Sequence, residues 1–331
     1  MSTSIIDEST SKLKVVLLLI LSVSMVSSAS ILILASTSPS LVKVFWRTLY
    51  GSLFMAMIGA AHGDLSALRT PKVRDNLHWL AGIGVILSLH FSTWFQSLEM
   101  TSIAASVVLV DSSPIFTAIF STLFLGESIR RRSWVGILVA VSGAVFLGWV
   151  DYGGIDLSGN LMALSGDLLA LSGAVFLAIY FIGGRKYAKG MPITIYTSVV
   201  YLFAAITTLL LCISFGLDVL VFDSVEVLIF IGLAIFPTVL GHSVNNYLLT
   251  KVPAYVVSSA VLGEPIGATL LGILVFMVYP APLVWVSFFV ILLGVAIVLV
   301  DIVGKERKKL SSLDHTNGSQ SDSLGSDSDS I

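Results

Sequence analysis

LEMTSIAASVVLVDSSPIFTAIFSTLFLGESIRRRSWVGILVAVSGAVFLGWV, residues 98–150, decides the fold. It holds two apolar runs joined by a short basic turn that contains Arg130, Arg131 and Arg132, and a degenerate copy of it returns near the C-terminus. Pro114 and Pro265, Trp134 and Trp285, and Gly143 and Gly294 are each 151 residues apart. At the same offset HFSTWFQSL (90–98) lies over GHSVNNYLL (241–249), which sets Ser92 on Ser243 and Leu98 on Leu249. Self-similarity at a fixed period fixes the architecture before any single element does. The chain reads as two halves of one design.

The 331 residues are 56% hydrophobic and 11% charged, with a mean hydropathy of +0.98. Soluble globular domains carry about a quarter charged residues, so this chain belongs in a membrane. Its single cysteine, Cys212, sits among apolar residues and excludes a disulfide framework or a cysteine metal site. The basic residues form short clusters instead of a continuous stripe, which argues against nucleic acid as a partner. No Gly-rich phosphate loop or His/Cys cluster is present, and no cofactor is expected.

Ten apolar runs are long enough to cross a hydrocarbon core of about 30 Å as helices. They fall near 14–35, 41–61, 77–98, 103–125, 134–151, 161–183, 193–215, 226–249, 255–277 and 281–303. The fold class is therefore all-α and polytopic. The first run is read as a span and not as a cleaved leader, because it is long for that role and its loss would unbalance the halves. With the N-terminus inside, the inner connections hold 16 of the 18 Lys and Arg residues, leaving Lys43 and Arg47 outside. That bias predicts a multi-pass protein with both termini cytoplasmic and an even number of spans; the plasma membrane is its expected location.

The expected organisation is a short cytoplasmic segment (1–13), a five-span half (14–151), a second five-span half (161–303) and a solvated tail (304–331). The KERKKL cluster of the tail should meet anionic headgroups, and its Ser- and Asp-rich remainder has too little apolar surface to order. Deletion of 313–331 is expected to leave function intact. Five spans per half is an odd number, so the second copy enters the membrane from the opposite side. Inverted repeats allow two packings to be exchanged between halves around a midplane site, the device of alternating-access carriers.

Pro114 and Pro265 each remove a helical hydrogen bond near mid-membrane, either as plain packing kinks or as openings in the walls of a central cavity. Ionisable groups at such depth are costly and mark candidate sites. Four are found: His90 and Asp111 on the third and fourth spans, His242 and Glu264 on the eighth and ninth. Each His matches its carboxylate in depth, so one His–carboxylate couple per half is expected. Glu264, beside Pro265, is the best candidate to carry a coupling proton. A structural helix–helix contact is the competing reading for all four. Asn245, Asn246, Ser113 and Tyr180 add polar groups along the same path, and Trp94 is either an aromatic wall or, as is commoner for tryptophan at a span end, an interface anchor. Arg47 either contacts a substrate anion at the outer mouth or snorkels to headgroups. Glu127 is expected to pair with the neighbouring arginines at the inner surface.

These residues resemble the drug/metabolite transporter superfamily, specifically its EamA-type permeases. The likeness is carried by SLEMTSIAASVVLVDSSPIFTAIFSTLFLGESI (97–129) with WVGILVAVSGAVFL (134–147), by GDLLALSGAVFLAIYFIGGRKY (166–187), by Glu264-Pro265 and by the closing ILLGVAIVL (291–299). Two departures stand out: the first span lacks a tryptophan common there, and Met277-Val278 replaces Gly126-Glu127 in the second copy. The resemblance implies a secondary transporter of a small metabolite, such as an exporter of amino acids or drug-like compounds, with membrane lipids around it. It implies a cavity lined by spans 1, 3, 4, 6, 8 and 9, in a monomer or homodimer. An intramembrane enzyme acting on a lipid or prenyl substrate is the alternative; it would need a convergent acidic or His/Glu metal cluster, whereas the deep ionisable residues are spread over separate spans.

Overall fold

The computed structural model describes residues 12–101, 103–151, 161–220, 223–277 and 279–301. The segment before Lys12, the connection 152–160 and the tail from 304 lie outside the described residues, as do the expectations made for them. Among the described residues, ten helices are long and apolar enough to cross a membrane: α1 (Lys12–Ala35), α2 (Ser40–Ala61), α3 (Leu77–Met100), α4 (Ala105–Leu125), α5 (Arg131–Val150), α6 (Leu161–Tyr187), α7 (Ile193–Ser214), α8 (Ser224–Leu249), α9 (Ala254–Phe276) and α10 (Pro282–Asp301). Their ends lie within about four residues of those expected from apolar run length. Among the described residues there is no strand.

Local chemistry sets the ends. Pro39, Pro192 and Pro253 stand immediately before α2, α7 and α9 with extended ψ angles of 147°, 131° and 147°; a fixed φ and a missing N–H suit the start of a helix. Asp223 caps α8 by accepting from the backbone N–H groups of Val225 (2.7 Å) and Glu226 (3.3 Å). Gly126 ends α4 at φ +64°, a conformation in which a Cβ would be strained. Large apolar side chains on the outward faces, such as Leu17, Met57, Phe124, Leu168, Leu210 and Phe289, remain exposed. A belt of that kind is what lipid-facing surface requires.

Consecutive helices alternate in direction, so α1 starts and α10 ends on one side, here the terminal face; the opposite side is the far face. Helix α3 packs along α6, and α2 along α7. Helices α5 and α10 cross through small residues. A Cβ on Gly143 would lie 2.8 Å from the backbone nitrogen of Ile291, and one on Gly294 would meet the backbone nitrogen of Ala140. Offset by 151, these are one contact seen twice: residue 143 maps to 294 and 140 to 291. A second such mark is Phe91, whose repeat mate is His242; their rings meet edge to face at 5.2 Å. Mates that touch each other must straddle the axis relating the copies, so the two inverted five-helix repeats turn about a line through the Phe91–His242 contact.

Four helices are interrupted. Helix α1 breaks at Ser27, between Lys12–Val26 and Ser28–Ala35. Helix α4 breaks at Asp111 and Ser112, before Ser113–Leu125, and α9 at Leu262 and Gly263, before Glu264–Phe276. Pro114 and Pro265 sit in the first turn of the second pieces, so the expected mid-membrane kinks appear as a loss of regular helical hydrogen bonding two to three residues earlier, where Ser112 and Gly263 keep helical dihedrals. Helix α8 carries a π segment, Ala234–His242, around Pro237. Such irregular backbone within a membrane occurs only where protein or a cavity covers it.

Candidate functional site

The interruptions converge. The terminal-side pieces of α4 and α9 pack together, and Thr117 donates to the Ser258 hydroxyl across their contact at 3.1 Å. The far-side pieces stand apart, and between them lies a cavity of about 690 Å³. It runs from Ser36, Glu99 and Pro280 at the far face down to Asp111 and Glu264. Most of its wall is apolar, built from side chains such as Ile31, Leu34, Phe95, Leu98, Val107 and Phe276. Below this floor is a chamber of about 20 Å³, bordered by Arg47, His90, Trp94, Asp111, His242, Asn245 and Glu264. Trp94, Val110, Asp111 and Glu264 border both spaces.

The chamber is closed beneath by polar contacts on the terminal side. Arg185 of α6 donates from Nε to Glu127 at 2.8 Å and from Nη1 to the Leu249 carbonyl at 2.9 Å. Arg130 reaches Asp301 at 3.4 Å, and the Ser133 hydroxyl donates to the same carboxylate at 2.7 Å. Glu127 therefore pairs with Arg185 across the halves and not with its sequence neighbours. The turn that carries Arg130, Arg131 and Arg132 instead turns its first arginine to α10.

Arg47 is the main correction to the sequence reading. It neither snorkels nor stands at the mouth; it is fully buried, seven residues into α2 and so about 10 Å below that helix's end. Nε donates to the Thr238 hydroxyl at 2.9 Å, and the guanidinium lies 3.9 Å from the centroid of the Phe91 ring. Thr238 belongs to the π segment, and its own hydroxyl donates to the Leu233 carbonyl at 2.8 Å. The wound backbone of α8 thus aims the hydroxyl that holds the arginine. Nη1 and Nη2 have no hydrogen-bond partner among the described residues.

The expected His–carboxylate couples do not form. His90 turns Nδ1 to the Gly173 carbonyl at 2.9 Å, which the packing of α3 against α6 brings alongside it. His242 packs its ring against Phe91 and Tyr180, with centroids 5.2 and 6.2 Å apart, and its Nδ1 has no partner. All four residues instead border the one chamber. Asp111 Oδ2, Trp94 Nε1 and both amide atoms of Asn245 are buried there without partners. Trp94 and Asn245 are repeat mates, so each half contributes the same position to the wall.

Other sequence candidates stand behind this layer. Asn246 donates to the Tyr180 hydroxyl and to the His242 carbonyl, the latter at 2.8 Å; Asn246 and Tyr180 support the chamber without bordering it. Ser113 is buried, and its carbonyl accepts from Thr117 at 2.9 Å. Pro265 lines the large cavity and Pro114 lines neither space. Three contributors were not singled out from the sequence. Thr238 is legible only through Pro237, which disturbs α8. Lys43, four residues before Arg47 on the same face, is buried in the cavity wall with Nζ 3.4 Å from the Ile33 carbonyl. Glu226 gathers the α1–α2 connection, accepting from the Thr37 backbone N–H (2.6 Å) and from the hydroxyls of Ser36, Thr37 and Ser38.

Comparison with known proteins adds the family and the fold. The model of the EamA-like transporter family matches twice, over residues 13–149 and 164–300. The pseudopaline exporter CntI of Pseudomonas aeruginosa, in strains UCBPP-PA14 and PAO1, is 29% identical over 113 residues, which is 34% of this chain. The match spans only 38% of the length of those curated relatives. A protein of known crystal structure superposes with a TM-score of 0.74 at 20% identity, covering 89% of this chain and 100% of that one. At that identity the likeness concerns the fold.

Proposed function

We propose, from the premise that the chain belongs to the EamA-like transporter family, that it is a secondary carrier exporting a small metabolite by opening one central chamber to each side of the membrane in turn. The observation that carries this reading is the asymmetric closure of a symmetric scaffold. Two inverted repeats enclose the chamber, yet the α4 and α9 pieces meet only on the terminal side while a 690 Å³ cavity parts them on the far side. Exchanging the packings of the halves would seal the far side and open the other. The excess of Lys and Arg in connections on the terminal face supports assigning that face to the cytoplasm, and on that assignment this is the outward-open shape of a plasma-membrane protein. Export is further supported by the partial likeness to a named exporter.

In this reading Arg47, His90, Trp94, Asp111, His242, Asn245 and Glu264 face the cargo, while Ser113, Pro114, Tyr180, Asn246 and Pro265 shape and support the path. Glu264 is the proton carrier: its backbone carbonyl accepts from Ser27 at 3.0 Å, and its side chain borders both spaces where cargo would displace water. The test is reciprocal accessibility coupled to flux. A cysteine at Ser258, on the sealed contact, and one at Leu34, in the cavity wall, are labelled in proteoliposomes with and without an imposed pH gradient. Opposite changes in the two labelling rates, accompanied by gradient-driven uptake of a compound found by thermal-shift screening, support the carrier. Rates that move together, or stay fixed during flux, refute alternating access.

A further inference from the structure

We propose that the cargo is an amphoteric molecule larger than a single amino acid, with its carboxylate held by Arg47 in the small chamber and its amine between Asp111 and Glu264 on the cavity floor. This deepens the carrier reading and rests on it. The guanidinium is fixed in plane by the Thr238 hydroxyl and the Phe91 ring, yet both Nη atoms are buried without a partner. A buried donor pair left unpaired is costly. Planar parallel N–H groups match the two oxygens of one carboxylate. Trp94 Nε1 and Asn245 Nδ2, also unpartnered, add donors at the same chamber. Its 20 Å³ admits a small head group and not a whole ligand.

The opposite charge sits one layer up. Asp111 and Glu264 border both spaces, and neither forms an ion pair among the described residues. Asp111 Oδ2 is buried and unpartnered. A simple anion reaching Arg47 would pass these two acids, and a simple cation stopping at the acids would leave the arginine unpaired. A molecule that carries both signs gives the arginine and the two acids each an opposite charge. The space above sets the size: a cavity of 690 Å³ with mainly apolar walls matches a drug-sized body. One amino acid would leave most of it wet.

The test uses a matched series of probes on the purified full chain: the dipeptide phenylalanyl-phenylalanine, its C-terminal amide and its N-acetyl derivative, with binding followed by thermal shift and titration. The free dipeptide is expected to bind at least tenfold more tightly than either blocked form. In Arg47→Gln the preference for free acid over amide should vanish, and Arg47→Lys should restore part of it. In Asp111→Asn the preference for free amine over the acetyl form should fall. The wild-type series decides the matter alone if a variant does not fold. Absence of binding by all three probes, an amide that binds wild type as well as the acid, or a preference that survives Arg47→Gln overturns the assignment. Flux of the same probes into proteoliposomes separates the two readings: acid-selective binding without flux overturns the carrier, and flux without acid selectivity overturns the carboxylate anchor.

Discussion

Replacing Arg185 with Met should unlatch the terminal face. The substitution keeps the length and apolar stem of the side chain but removes the 2.8 Å pair with Glu127 and the 2.9 Å bond to the Leu249 carbonyl. These side chains are 21% and 16% exposed, so water and salt screen the pair, and about 1 kcal/mol is the appropriate weight for it. The charge-assisted bond to the carbonyl contributes about 1 kcal/mol more after competition with water. Together they hold the seal by about 2 kcal/mol, a factor of roughly 30 in the population of the opened form. A cysteine at Ser258, which accepts the Thr117 hydrogen bond at the contact of α4 and α9, reports that population through its labelling rate with a membrane-impermeant maleimide. Arg185→Met should raise the rate about 30-fold, and Glu127→Gln, which leaves an amide oxygen as acceptor, by about fivefold. Equal rates in the three backgrounds would refute the latch.

Glu264→Gln should bind cargo with altered affinity and lose the response of flux to an imposed pH gradient; an unchanged response in proteoliposomes removes this carboxyl from the proton path. Gly294→Val should lower the melting temperature in detergent and cost about 1–3 kcal/mol, because its Cβ meets the backbone of Ala140 and lies 2.6 Å from the Gly136 carbonyl. Gly82→Ala, which meets open space, should be neutral or slightly stabilising in the same melt. Glu226→Ala releases four hydrogen bonds around residues 36–38; proteolysis should cut that connection faster than in the parent, and Glu226→Gln, which keeps one acceptor oxygen, should lie between them.

The ten helices and their inverted order were legible because each depends on a local quantity: apolar run length, a proline or glycine at a fixed offset, a basic cluster in a connection. Pro114 and Pro265 marked the broken helices for the same reason, a lost N–H being a property of one residue. The partners of the deep ionisable residues were not legible. Matching His90 to Asp111 by depth ignored the rotation of each helix, and α6, distant in sequence, supplies the Gly173 carbonyl that His90 takes instead. Arg47 was misplaced because a cation within two turns of a span's end usually reaches for headgroups; what holds it inward is an aromatic face on α3 and a hydroxyl presented by the π segment of α8. Glu127 failed likewise, since its partner Arg185 comes from the other repeat.

The line through Phe91 and His242 joins two copies that share an order of helices and differ in charge. Arg47 rests on Phe91, whereas its own repeat mate is Ser198, whose carbonyl merely accepts from Ser52 at 2.8 Å. Swapping the shapes of the halves therefore does not return the molecule to an equivalent state: one shape seats a cation on a benzene ring, and its reflection has no cation to seat. For a carrier of the kind proposed, the empty molecule then dwells unequally between its two forms, and the side on which it waits is written into the half that carries the arginine.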